Sequence, residues 1–306
     1  MTAAWIGSDV RATAMSHRVL GRSAARALAA ESSIPAALTS LVNSPYGHEI
    51  RADLSLEAAQ HAVAATALWN MRVLAGWVPA TGIPMMRVLV AWYEIANIEA
   101  QLRSGFEAPA QPYFRLGGLA VGWGRLSGAS NTVELCDLLA TTAWGRPDDE
   151  TPHTIGVTLR SILLQDAAGT LPGCRDWVAS AAALLLARER SSGRQLPPRA
   201  ERVLATLLGG DVVAAPGFEE FIGALPENAR WAFDGVAIGS DLWRAESRWW
   251  SRVESDGVAR LRGAQFGPLP VIGAVAVLAA DAWRVRAALT AVANGARGLE
   301  EFDALA

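Results

Sequence analysis

An all-α fold with a layout repeated three times is what this chain predicts. Apolar residues recur at helical spacing along most of its length. Capping residues, prolines and glycines mark where those stretches start and stop. One step, an aromatic residue followed by glycine after a helical stretch, comes three times, at Tyr46-Gly47, Trp144-Gly145 and Phe266-Gly267. No stretch alternates as a strand would. The nearest, 271–278, is rich in Ala and Gly, and the Arg spacing after it favours helix.

Residues 2–30 are Ala-rich with Arg11, Arg18, Arg22 and Arg26 on one side, which predicts one long amphipathic helix. Ser33 caps a short helix over 34–43 carrying Leu38, Leu41 and Val42, and Ser44-Pro45-Tyr46-Gly47 stops it. Ser55 caps the next, with Glu57 in its first turn, running to about 77. Pro84 opens a helix over 84–103, where Met85, Val88, Leu89, Trp92, Ile95, Ala96 and Leu102 form an apolar stripe. Glu94 and Asn97 lie three apart on it and share a side. Such a pair either bonds between helices or faces a partner.

The layout then begins again. Pro112 opens a helix to about 126, and Asn131 with Glu134 makes a capping box for a short helix over 132–142. Trp144-Gly145 stops it, and helices follow over 152–168 and 172–190. With Tyr46 set on Trp144, IPAALTSLVNSPYG matches TVELCDLLATTAWG; Leu38 falls on Cys136, Leu41 on Leu139 and Val42 on Ala140. A third, looser round has short helices over 197–209 and 216–222. A long Trp-rich helix over 226–254 follows, interrupted at Gly235 and Gly239. The chain then passes Phe266-Gly267 into a closing helix over 272–293 and a short tail. A repeat of this length exceeds the solenoid range of about 20–50 residues. The expectation is therefore three pseudo-symmetric helical subdomains, 1–108, 109–195 and 196–306.

Composition narrows the function. The chain has 306 residues, 51% hydrophobic and 19% charged, with a mean hydropathy of +0.21. The longest apolar runs fall well short of the roughly 20 residues of a bilayer span, so no spanning helix and no signal peptide are expected. The apolar surplus points to contacts with other subunits. A net charge of −3 offers no basic field for nucleic acid. All 27 cationic side chains are arginine, so a standard phosphate-binding P-loop and any Schiff-base lysine are excluded. The four histidines have no metal-ligand spacing, and Cys136 and Cys174 read as buried free thiols. No cofactor is expected.

The order of these motifs resembles the central-stalk socket family of the V/A-type ATPases, known as the C subunit in the archaeal and bacterial enzymes and the d subunit in the vacuolar one. The resemblance rests on Arg18-Val19-Leu20 through SLVNSPYG, on WYEIANIEAQLR, and on GPLPVIGAVAVLAADAWRVRAALTAVANGARGLEEFDAL. The last resembles a closing helix with an acidic-x-x-Asn-x-Arg pattern. Here Asp281 stands where Glu is expected and Arg284 where Asn is expected. The resemblance implies a funnel-like body of three helical subdomains and no catalysis. Such a body links the rotor shaft to the membrane rotor ring, one copy per complex, and passes torque for ATP-coupled proton or sodium transport. It implies a cytoplasmic location, peripheral to the membrane. On this reading Glu94, Asn97, Asp281, Arg284 and Arg286 are candidate contact residues, and the three aromatic-Gly steps are structural turns.

Two other readings compete. A helical adaptor could keep the fold and bind a different partner. An all-α enzyme of the terpene-synthase type would need acidic clusters to hold magnesium. Asp148-Asp149-Glu150 is the nearest, and it sits where acidic residues ordinarily complement a helix N-terminus. Gly122-Trp123-Gly124-Arg125-Leu126-Ser127 lacks both the last glycine and the strand that a dinucleotide-binding loop requires.

Overall fold

The structure is a computed structural model that describes residues 2–237, 239–263 and 266–305. Every regular element among them is helical. The predicted helix over 2–30 is broken. A 3-10 turn leads into α1 (Ile6–Ser16), and α2 (Arg22–Ala29) starts afresh after Gly21, whose φ of 81° no helix interior accepts. The short α3 (Ile34–Val42) is capped by the Ser33 side chain, and α4 (Leu56–Ala75) by Ser55. After a 3-10 turn comes α5 (Ile83–Arg103).

The expected helix from Pro112 does not form. Residues 104–122 are mostly irregular, and only α6 (Trp123–Leu126) is helical at the end of that stretch. Gly117, Gly118 and Gly122 disfavour helix here. Two of the segment's N–H groups are also bonded to a side chain of α5, as described below. Next come α7 (Thr132–Ala140), α8 (Pro152–Thr170) and α9 (Arg175–Ser191). Then follow α10 (Pro198–Leu208), α11 (Gly210–Ala214), α12 (Phe218–Ala224) and α13 (Glu227–Arg230). The predicted helix over 226–254 is split at Gly235, φ 66°, and its main part is α14 (Leu242–Leu261). The chain ends in α15 (Pro268–Asn294) and α16 (Ala296–Leu305).

Packing divides the chain into two compact units, residues 1–83 with 250–306, and residues 84–249. Breaks expected near 108 and 195 are not where the units part, because α5 packs on the segment up to Trp144 that follows it and α9 on α10 and α13. In the first unit α15 is the central helix, contacted by α1, α2, α3, α4 and α16. By length and composition α15 could cross a membrane, but 72% of its most apolar window is buried inside the unit. It crosses α14 at two glycines. A Cβ on Gly257 would lie 2.9 Å from the Gly273 carbonyl oxygen, so only glycine allows that approach.

The second unit holds two core clusters. One gathers Ile95, Ile98, Leu135, Leu139, Trp144 and Ile155. The other gathers Ala183, Leu204, Phe221, Phe233 and Ala245.

Candidate functional site

The residues singled out in the sequence meet at two constellations, one in each unit, with the same chemistry. In the second unit Glu94, mid-way along α5, is fully buried. Its Oε2 accepts the Val121 N–H at 2.6 Å, and its Oε1 accepts the Gly122 N–H at 2.7 Å. Oε1 also accepts the indole Nε1–H of Trp144 at 2.9 Å. In the first unit Asp281 of α15 is 1% exposed. Its Oδ2 accepts the Leu20 N–H at 2.8 Å and its Oδ1 the Gly21 N–H at 2.9 Å. The phenol of Tyr46 donates to Oδ2 at 2.7 Å.

Each carboxylate thus receives two consecutive backbone N–H groups and one aromatic donor. The N–H groups end at a glycine N-cap, Gly21 before α2 and Gly122 before α6. Those donors have no partner within their helices, and the adjacent N-terminus favours negative charge. A carboxylate that burial would otherwise disfavour is fully hydrogen-bonded instead.

The aromatic donors are set by turns with the same hydrogen bonds, although only Gly145 of the two glycines has a positive φ. Ser44 Oγ donates to the Leu41 carbonyl and accepts the Tyr46 N–H; Thr142 Oγ1 does the same with Leu139 and Trp144. Gly47 and Gly145 close these turns by donating to the Ser44 and Thr142 carbonyls. Gly47 is obligatory in its place, since a Cβ there would sit 1.8 Å from the Val42 carbonyl oxygen.

Phe266 and Gly267 do not make a third such turn. Phe266 is 51% exposed, and Gly267 N-caps α15 while donating its N–H to Asp9.

Further side chains brace each closing helix. Asn97 takes both backbone groups of Phe114, accepting its N–H at 2.7 Å and donating to its carbonyl at 2.9 Å. Gln101 donates to the carbonyls of Leu126 and Ala129. At the position corresponding to Asn97, Arg284 bonds Glu254 at 2.7 Å and reaches Asp281 at 3.4 Å. Arg22 adds a second guanidinium to Glu254. Burial pushes the Glu254 carboxyl up, but Arg284 and Arg22 together outweigh it and hold it below its ordinary value.

These geometries revise the contact assignment. Glu94, Asn97 and Asp281 are buried and bonded within their own units, so none is presented to a partner. Arg284 is an internal brace with an 11% exposed side chain. Arg286 is half-buried, and its backbone carbonyl receives the Gln60 amide. Sequence reasoning singles out the acids and the aromatics separately and does not join them. A signal for the pairing is present, since Glu94 and Asp281 each stand on a closing helix and each aromatic follows its short helix by four residues.

A free surface lies elsewhere. On α1 the apolar Ile6 and Val10 are exposed, Val10 by 64%, while Ser8 and Asp9 on the same helix are buried. Trp77 is also exposed and lies under the Arg11 guanidinium. Burial pushes the Asp9 carboxyl up, and the Gly267 N–H only partly offsets it. Its Oδ1 has no hydrogen-bond partner among the described residues.

Fold and site together define an all-α protein in which α5 and α15 are each pinned by a buried carboxylate clamp. No protein-family model matches the chain, and no curated protein matches it.

Proposed function

We propose that this chain is a non-catalytic coupling component of a V/A-type rotary ATPase, joining the rotor shaft to the membrane rotor ring. The observation that carries the reading is the recurrence of the clamp. A part that transmits torque must resist shear between its helices. A carboxylate accepting three hydrogen bonds in a dry interior ties a helix to a loop in one geometry, since each bond is directional and costly to break. Tyr46 and both clamp acids, Glu94 and Asp281, fall within the segments that resemble the central-stalk socket family, SPYG, WYEIANIEAQLR and the closing helix, whereas Val121, Gly122 and Trp144 lie outside them. The outward apolar residues of α1 and the exposed Trp77 fit a body that meets other proteins.

The test is affinity purification from native-host membranes in mild detergent, with a tag after Ala306 and partners identified by mass spectrometry. Recovery of shaft and ring subunits in a fixed ratio to this chain is expected. Their presence in the membranes without recovery refutes the rotary assignment and leaves an adaptor for another complex.

A further inference from the structure

The third closing helix, α9, carries an apolar residue where α5 and α15 carry their clamp acids. Three closing helices, α5, α9 and α15, share one burial pattern. Along 92–98, 181–187 and 279–285 the order is half-buried, three buried, half-buried, two buried, except that Arg284 is half-buried. This register sets Ala183 on Glu94 and Asp281.

Independent features agree. Gln101 on α5 binds the carbonyl two residues before the N-cap of α7, Ala129 before Asn131. Seven residues after Ala183, Arg190 does the same, binding Ala215 two residues before Gly217, the N-cap of α12, at 2.6 Å. It also donates to the Val212 and Val213 carbonyls. Gly209 N-caps α11 with φ 106°, as Gly21 caps α2 and Gly122 caps α6, but its N–H closes α10 by donating to the Ala205 carbonyl, so the backbone donor is taken up here too. The aromatic after the short helices is Phe233, 1% exposed; it lies nine residues past α12 rather than four, and Asp234 separates it from Gly235, whose φ of 66° equals that of Gly145. Ala183 and Phe233 belong to one core cluster.

We infer that Ala183 and Phe233 are the third clamp with acceptor and donor removed together, leaving Arg190 to tie α9 to the segment ahead of α12. The joint loss follows from the energetics. A buried carboxylate without its aromatic donor, or an indole N–H without an acceptor, is costly, whereas replacing both by apolar groups is close to neutral. The α11–α12 segment is then held by Arg190 in place of a buried carboxylate, so the Arg190 bonds set the cost of opening it.

A double-mutant cycle tests this on the full chain. Ala183→Glu alone is expected to lower the thermal midpoint sharply and Phe233→Trp alone only slightly. The double variant is expected to regain a clear part of the loss. Should Ala183→Glu not fold, Ala183→Gln is read in the same cycle. A double variant no better than the sum of the singles overturns the inference. In parallel, Arg190→Leu is expected to speed exchange across α11–α12 at least tenfold while α6–α7 is unchanged. Unaltered exchange across α11–α12 overturns the role given to Arg190.

Discussion

Replacing Glu94 by glutamine changes one oxygen to an amino group and keeps the volume. The amide oxygen can still accept from Gly122 and Trp144, which share Oε1 in the native chain. The new NH2 group then points at the Val121 N–H, donor against donor, where a bond of 2.6 Å stood. Losing a hydrogen bond to a charged acceptor removes about 1.5–3 kcal/mol, and an unsatisfied buried donor costs about 1–3 kcal/mol. The site is fully buried, so solvent screening gives no relief. The expected loss is about 3–5 kcal/mol, a large part of the roughly 5–15 kcal/mol that holds a domain together. At about 2–4 °C per kcal/mol for a domain near this size, the midpoint falls by about 6–20 °C. The assay is thermal unfolding followed by circular dichroism, with hydrogen exchange at Val121 and Gly122 to localise the effect. A midpoint within about 2 °C of the native chain, with those amides still protected, would refute the clamp. Glu94 would then be a surface contact after all.

Tyr46→Phe removes one of four donors to Asp281 and should cost about 1–2 kcal/mol by chemical denaturation, less than Asp281→Asn. Gly47→Ala meets the Val42 carbonyl and should unfold the first unit. Gly145→Ala meets only the end of the Arg199 side chain, so beyond the strain of φ 66° it should be the milder variant in expression and melting. Asp9 titrates above its ordinary value in the folded chain, so its contribution is full at low pH and is lost as pH rises through that value. Asp9→Asn should therefore match the native midpoint near pH 3 and equal or exceed it at pH 7. Glu254 behaves oppositely: its contribution is present at neutral pH and lost as pH falls below about 4.3. Glu254→Gln should lower the neutral midpoint and flatten the acid limb of the stability profile.

Local chemistry makes much of this fold legible from residues alone. Ser33, Ser55 and Asn131 cap the helices that their positions predict, because capping needs only a side-chain oxygen and the next turn of backbone. The paired turns SPYG and TTAWG are recognisable because the same hydroxyl, aromatic and glycine recur at the same spacing. Helix periodicity finds α4, α5, α8, α9 and α15 but misplaces the buried face of α5: of the expected stripe only Met85 and Ile95 are buried, and Glu94, Asn97 and Gln101 are buried instead. Interactions that join distant segments leave no such trace. The break at Gly21 and the irregular stretch before Gly122 both read as helix, since local propensity competes there with a carboxylate far away in sequence. Asp281 lies about 260 residues from the two N–H groups it holds. Nothing in an acid's neighbours on its own helix tells whether it faces water or a ring of donors. Pattern therefore decided that there are helices, where most of them stop, and that two turns, SPYG and TTAWG, are alike. Only tertiary packing decided that the polar residues of the closing helices point inward, because burying a carboxylate depends on donors that the fold alone brings to it.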